Sequence, residues 1–155
     1  MDIMIVKGWS DARFFGFLRS GLRRMFTRFP PKYQALAASK VSRGVYICAG
    51  CKAEHRNKDV SVDHIIPCGS LKKWEDVQPF IKGLFCSVDR LQVLCKECHY
   101  TKTMQERGMT LVDIEVAGFR KLKAVNQRRI LEQLNTIAAP NAEGRCKQYR
   151  KLIDE

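Results

Sequence analysis

Cys48-Ala-Gly-Cys51 and Cys95-Lys-Glu-Cys98-His99 bracket the stretch Val62-Asp63-His64-Ile65-Ile66-Pro67. Two residues between cysteines let both sulfurs of a tight turn reach one tetrahedral ion at about 2.3 Å. Two such turns make a closed, structural Zn2+ site, whereas a redox role needs only one. Residues 52–94 put 43 positions between the pairs, against about 15–20 in a simple zinc ribbon. The ion is therefore expected to clamp the base of a larger excursion. Closing that clamp carries the strand of Asp63 and His64 alongside a helix that begins near His99, so two imidazoles and one carboxylate converge.

Working outward, Val45-Tyr46-Ile47 reads as a strand entering the first cysteine turn, and Asp59 to Ile66 as a second strand. Its alternation sets Val60, Val62 and His64 on one side and Ser61, Asp63 and Ile65 on the other. Ser70 is a candidate cap for a helix containing Leu71, Trp74, Val77, Ile81 and Leu84, interrupted by Pro79. Leu91 to Leu94 reads as extended, and Cys98 to Arg107 as a helix ended by Gly108. Upstream, Ser10 caps a helix whose apolar face is Phe14, Phe17, Leu18, Leu22, Met25 and Phe26, with Gly16 and Gly21 weakening it. Pro31 opens a second helix to about Ser42. Downstream, Thr110-Leu-Val-Asp113 resembles a capping box for a helix broken near Gly118 and reaching Leu134. Asn141 caps a last helix to about Ile153. The predicted organisation is a helical extension over 1–44, a zinc-clamped core over 45–106 and a helical arm over 107–155, an α+β chain.

The 155 residues carry 28 Lys and Arg against 16 Asp and Glu, a formal charge of +12. Residues 1–44 are net +7, 45–106 net +1 and 107–155 net +4. Two basic arms around a near-neutral centre suit a polyanion such as nucleic acid. Apolar residues, at 45%, suffice for a packed core and exclude wholesale disorder. No apolar run reaches the ~20 residues of a membrane span, and Met1 to Lys7 lacks the features of a secretory signal. The expectation is a cytoplasmic protein with no membrane partner. Seven cysteines are an odd count, which disfavours a disulfide framework. Of the three outside the pairs, Cys68 and Cys86 are expected to be buried and Cys146 exposed.

The order Cys-x-x-Cys, then Val-Asp-His-Ile-Ile-Pro, then Leu91-Gln-Val-Leu-Cys-Lys-Glu-Cys-His-x-x-Lys-Thr103 resembles the HNH endonucleases, with their ββα-metal core. It is similar in particular to small free-standing HNH proteins of bacteriophages. Phe29-Pro-Pro-Lys-Tyr-Gln34 and Gly69-Ser-Leu71 with Leu84-Phe-Cys86 add to the likeness, which covers residues 26–106. The resemblance implies that Asp63 and His99 hold a catalytic divalent ion and that His64 is the general base. It implies a metal-dependent cut of double-stranded DNA. The family's central Asn precedes the Leu-Gln pair, and Arg90 stands there instead. In the family that Asn buttresses the loop carrying the base; Arg90 could donate a similar bond or bind phosphate.

The chemistry is intelligible from the residues. Hydrolysis of a phosphodiester needs an activated water and a cation on the phosphoryl oxygens. A neutral imidazole accepts a proton from water at cellular pH. Asp63 and His64, as neighbours on a strand, serve one centre only if the chain bends there. Mg2+ prefers oxygen ligands, while an imidazole ligand such as His99 favours Mn2+, Ni2+ or Zn2+. Each residue also has a plainer role: His64 as a hydrogen-bonded core histidine, Asp63 as a turn cap, His99 as a spare neighbour of the zinc or a helix-start residue. His55 is expected to be solvated. Arg19, Arg23, Arg24, Arg90 and Lys102 are the candidate DNA contacts. The alternative function is a weak or inactive zinc module that binds DNA or a phage packaging or host protein. An RNA-binding zinc protein is a third, without an aromatic platform to support it.

Overall fold

The structure, a computed structural model, describes residues 7–154. The reading of Met1 to Val6 lies outside the described residues. The chain is mixed α+β and divides into two compact units, one up to His99 and one from Tyr100 onward.

In the first unit, α1 (Asp11–Phe26) starts where the Ser10 hydroxyl accepts from the Arg13 N–H. It runs unbroken through Gly16 and Gly21, because its inward face is held by tertiary packing. That face differs from the expected one. Phe15 is its most buried residue, packed with Leu71, Phe80 and Leu84 and flanked by Phe14, Leu18, Leu22 and Phe26. Phe17 and Met25 point to solvent. Burying side chains the size of Phe15 and Phe80 stabilises by about 2–3 kcal/mol each.

Pro30 opens α2 (Pro30–Ala38), which stops well before the expected Ser42. Lys40–Ser42 instead forms a strand, β1, paired antiparallel with β2 (Val45–Ile47) through a turn at Gly44. Strand β3 (Glu54–Arg56) pairs with β2 on its other edge, in the register Tyr46↔His55. The β2–β3 hairpin encloses the first cysteine turn.

The second expected strand is present as β4 (Val60–His64). It pairs antiparallel with β5 (Leu91–Cys95), matching Val60 to Cys95, Asp63 to Gln92 and His64 to Leu91. β5 passes without a break into α4 (Lys96–Glu106). Between β4 and β5 the chain makes α3 (Val77–Leu84), preceded by a 3-10 turn at Trp74–Asp76 rather than a helix capped by Ser70. Asp76 serves that start, accepting from the Lys72 and Lys73 N–H groups. Pro79 falls in the first turn of α3, where its missing donor costs nothing. At Gly83 a Cβ would come within 2.9 Å of the Cys68 backbone, so the approach of α3 to the 67–69 loop admits only glycine.

The second unit is α5 (Leu111–Lys121), α6 (Ala124–Gln133) and α7 (Ala142–Asp154) after the end of α4. The Thr110 and Asp113 capping box is present. The break expected at Gly118 falls instead at Leu122-Lys123. Asn141 caps α7 through Oδ1, which accepts from the Gly144 N–H. Val116, Phe119, Leu131 and Cys146 form the core, with Tyr149 stacked on Phe119. Cys146 is therefore buried, not exposed as expected; it lies on the inward face of α7 beside the buried Arg145. No helix among the described residues is long and apolar enough to cross a membrane.

Asp113 also accepts from the Arg150 guanidinium on α7. That bond, with the Thr110 hydroxyl and N–H, holds its carboxyl down at about 2. A carboxyl lowered in the folded state stabilises above its ordinary pKa and ceases to do so as pH falls through the folded value. The α5–α7 pairing is thus expected to lose this support between pH 4 and pH 2. Asp113→Asn should remove it at neutral pH and make melting, followed by circular dichroism, less acid-dependent in that window.

Candidate metal centre and the adjoining aspartate and histidines

The Cys48–Cys51 turn is a knuckle at the tip of the β2–β3 hairpin. The Cys48 N–H donates to the Ala53 carbonyl and the Lys52 N–H to the Cys48 carbonyl, with Lys52 at φ 62° to close the turn. The Ala49 N–H donates to the Val93 carbonyl at 2.7 Å, tying the knuckle to β5. Gly50 lies against the second pair: a Cβ there would sit 2.9 Å from the Cys98 sulfur. Cys95 ends β5, and Cys98 lies in the first turn of α4.

These elements bring Cys48, Cys51, Cys95 and Cys98 together, with all four sulfurs within 4.8 Å of one another. Four ligands at about 2.3 Å around a tetrahedral ion lie about 3.8 Å apart. The Cys51 and Cys95 sulfurs are 4.0 Å apart. The donor set therefore fits a metal ion such as zinc. All seven cysteines are free of disulfides.

The protein's own groups prepare one of the four thiolates, Cys48. Burial pushes the Cys48 thiol up, but the N–H groups of Cys95, Cys51 and Gly50 outweigh it and bring it to about 6. Cys98 is pushed up to about 12, first by its contact with Cys95 and then by burial. A Cys48 thiolate opposes charge on its neighbours, since like charges a few ångströms apart repel. A divalent ion removes that repulsion. His55, expected to be solvated, lies with Nε2 3.4 Å from the Cys51 sulfur. Its position opposite Tyr46 in the hairpin puts it there.

On the far half of the β4–β5 pair, Asp63 faces Gln92, whose amide donates to the carboxylate at 3.4 Å. His99, on α4, brings Nε2 to 3.6 Å from Asp63 Oδ1. Two ligand atoms each about 2.1 Å from one ion can stand that far apart. The structure thus joins Asp63 with His99, through elements that the cysteine cluster draws together.

His64 takes the opposite face of β4, which pairs with β5 in unbroken register through Asp63 and His64, so the bend that would turn both to one centre is not between them. Its ring packs on Phe26, with centroids 4.8 Å apart, and its Nε2 lies 2.9 Å from the Leu84 carbonyl oxygen. A carbonyl can only accept, so Nε2 carries the proton and Nδ1 is the basic nitrogen. The Ile65 N–H, just beyond, donates to the Arg90 carbonyl at 2.9 Å. Arg90 thus ties down the chain after His64 through its backbone, while its side chain is exposed. Of the other candidate DNA contacts, Arg23 and Arg24 are exposed on α1 and Arg19 is half-buried. Lys102 is ion-paired with Glu106 on α4. Neither Gln92 nor the Leu84 carbonyl was foreseen. Strand register would have paired Gln92 with Asp63; the Leu84 contact depends on where α3 packs.

No protein-family model, curated protein or solved structure matches the chain.

Proposed function

We propose that the protein is a metal-dependent endonuclease of the HNH kind, hydrolysing phosphodiester bonds of double-stranded DNA, with Cys48, Cys51, Cys95 and Cys98 holding a structural Zn2+. The observation that carries this is the meeting of the Asp63 carboxylate and the His99 imidazole at 3.6 Å, with His64 next in the chain. One carboxylate and one imidazole are an incomplete set, leaving positions for water and phosphate, as a catalytic ion requires. Mg2+, Mn2+ or Ni2+ bound there would polarise the phosphoryl group and offset charge on the leaving oxygen.

The chain's residues supply the rest. Leu84 holds the His64 tautomer, and Nδ1 is the atom to take the proton of the attacking water where the end of β4 turns His64 toward Asp63. The water oxygen bonds to phosphorus, one P–O bond breaks, and the leaving oxygen is protonated from solvent. Gln92 steadies the Asp63 carboxylate. The basic segments hold the DNA backbone.

The placement of His64 on the opposite face of β4 from Asp63 favours a second reading. In it the fold is a zinc module that binds DNA, or a phage packaging or host protein, without cutting. Supercoiled plasmid separates the two. Nicked or linear product with Mg2+, Mn2+ or Ni2+, abolished by EDTA, is expected. Intact plasmid with all three ions at saturating protein would leave only the binding module.

A further inference from the structure

We propose that α6 is a duplex-binding helix, its outward face lying against the phosphates that border the DNA major groove. This rests on DNA being the substrate but not on catalysis.

The inward face of α6 is locked. Gln127 is buried and donates to the Phe119 and Arg120 carbonyls at the end of α5. The buried Arg145 of α7 donates through Nε to Gln127 Oε1 at 2.8 Å and through Nη1 to the Ala139 and Pro140 carbonyls. Leu131 fills the core below. A buried guanidinium held by neutral oxygens is costly; its bond to Gln127 ties α7 to α6, and its bonds to Ala139 and Pro140 fix the loop between them. The two-residue link Leu122-Lys123 leaves little slack between α5 and α6.

The outward face is correspondingly defined. Residues 120–129 contain Arg120, Lys121, Lys123, Arg128 and Arg129 and no acid, and all five are exposed. Most acids around them are engaged elsewhere, Asp113 with Arg150, Glu115 with the Tyr149 hydroxyl, Glu143 with Lys147, and Glu106 with Lys102; the exposed Glu132, one turn after Arg128 on α6, is the exception. Among the described residues none of the five cations has a carboxylate within 4 Å. Lys123 leads into the helix and Arg128 and Arg129 sit about one and a half turns along it. Val125, 67% exposed, lies one turn before Arg128 and Arg129 on their face of the helix. A ten-residue helix is about 15 Å long, and the major groove is about 12 Å wide. A rigid convex cylinder with Arg128 and Arg129 and the apolar Val125 on its outward face, and Arg120, Lys121 and Lys123 at its leading end, suits that groove. A single-stranded chain would need stacking aromatics, which α6 lacks.

The test uses the zinc-loaded full chain with no added Mg2+, Mn2+ or Ni2+, so that binding is read apart from cutting. Affinity for a fluorescent 30-base-pair duplex is measured over a range of salt concentrations. Arg128→Gln/Arg129→Gln is compared with Lys147→Gln/Lys151→Gln on α7, which removes the same charge. Each phosphate contact contributes about 0.9 to the slope of log affinity against log salt. The α6 pair is expected to lower the slope by about 1.8 and weaken binding at least tenfold, with circular dichroism unchanged, while the α7 pair leaves both nearly intact. Equal effects of the two pairs, or no effect of the α6 pair, would overturn the proposal. If wild-type protein binds duplex through α6 yet never nicks plasmid, the nuclease reading fails and this one stands.

Discussion

Cys95→Ser is expected to release the metal and unfold the first unit. Zinc measured by elemental analysis should be one tightly held ion per chain in the wild type and none in the variant. Structural zinc contributes on the order of 10 kcal/mol to small metal-clamped domains, as much as a whole domain's net stability. The size of the effect follows from where Cys95 lies. It ends β5, opposite Val60, and begins the turn into α4. Its own N–H donates to the Cys48 sulfur, and its sulfur accepts from the Cys98 N–H. The core beneath the cluster is small, Leu94 with the half-buried Ala49, and cannot hold the two hairpins together alone. Chelation of the wild type should give the same loss of structure, recovered on adding Zn2+. A folded, metal-free Cys95→Ser protein would show that the four cysteines are not a metal site.

His64→Ala is expected to leave zinc content and duplex affinity intact and to slow plasmid cleavage by about 10²-fold or more, the usual size of a general-base contribution. The lost bond to the Leu84 carbonyl and the lost packing on Phe26 should together cost about 1–3 kcal/mol of stability, less than a domain's net stability. Asp63→Ala should also abolish cleavage, through lost metal, so that excess Mn2+ restores some of it. Added imidazole should partly rescue His64→Ala and not Asp63→Ala. Arg90→Asn is expected to keep or raise activity, since the bond that Arg90 makes to Ile65 is through its carbonyl and survives the change. Cleavage by His64→Ala at the wild-type rate would remove His64 as the base.

Most elements were legible in the sequence because their signals are local. The strand before Cys48, the strand of Asp63 and His64, the Ser10 cap and the Thr110 capping box depend on residues within a few positions of one another. β1 and β3 were not foreseen, since each is three residues long and exists only by pairing with β2. Phe15 was not foreseen as core because it sits one position off the strongest apolar repeat, and the side from which α3 arrives decides which phenylalanines are covered.

The site divides in the same way. Cysteine spacing by itself determined that four thiols meet, since two-residue turns leave each pair little choice and a tetrahedral ion unites the pairs. It determined too that Asp63 and His64 leave β4 on opposite faces, because a strand alternates. Only the tertiary structure decided what each face meets. Asp63 finds Gln92 and His99 because β5 and α4 pack on its side, and His64 finds Phe26 and the Leu84 carbonyl because α1 and α3 pack on the other. Those partners lie between 20 and 38 residues away in the chain. Contacts at that distance are set by how whole elements fill the volume around the strand, not by any pattern within it.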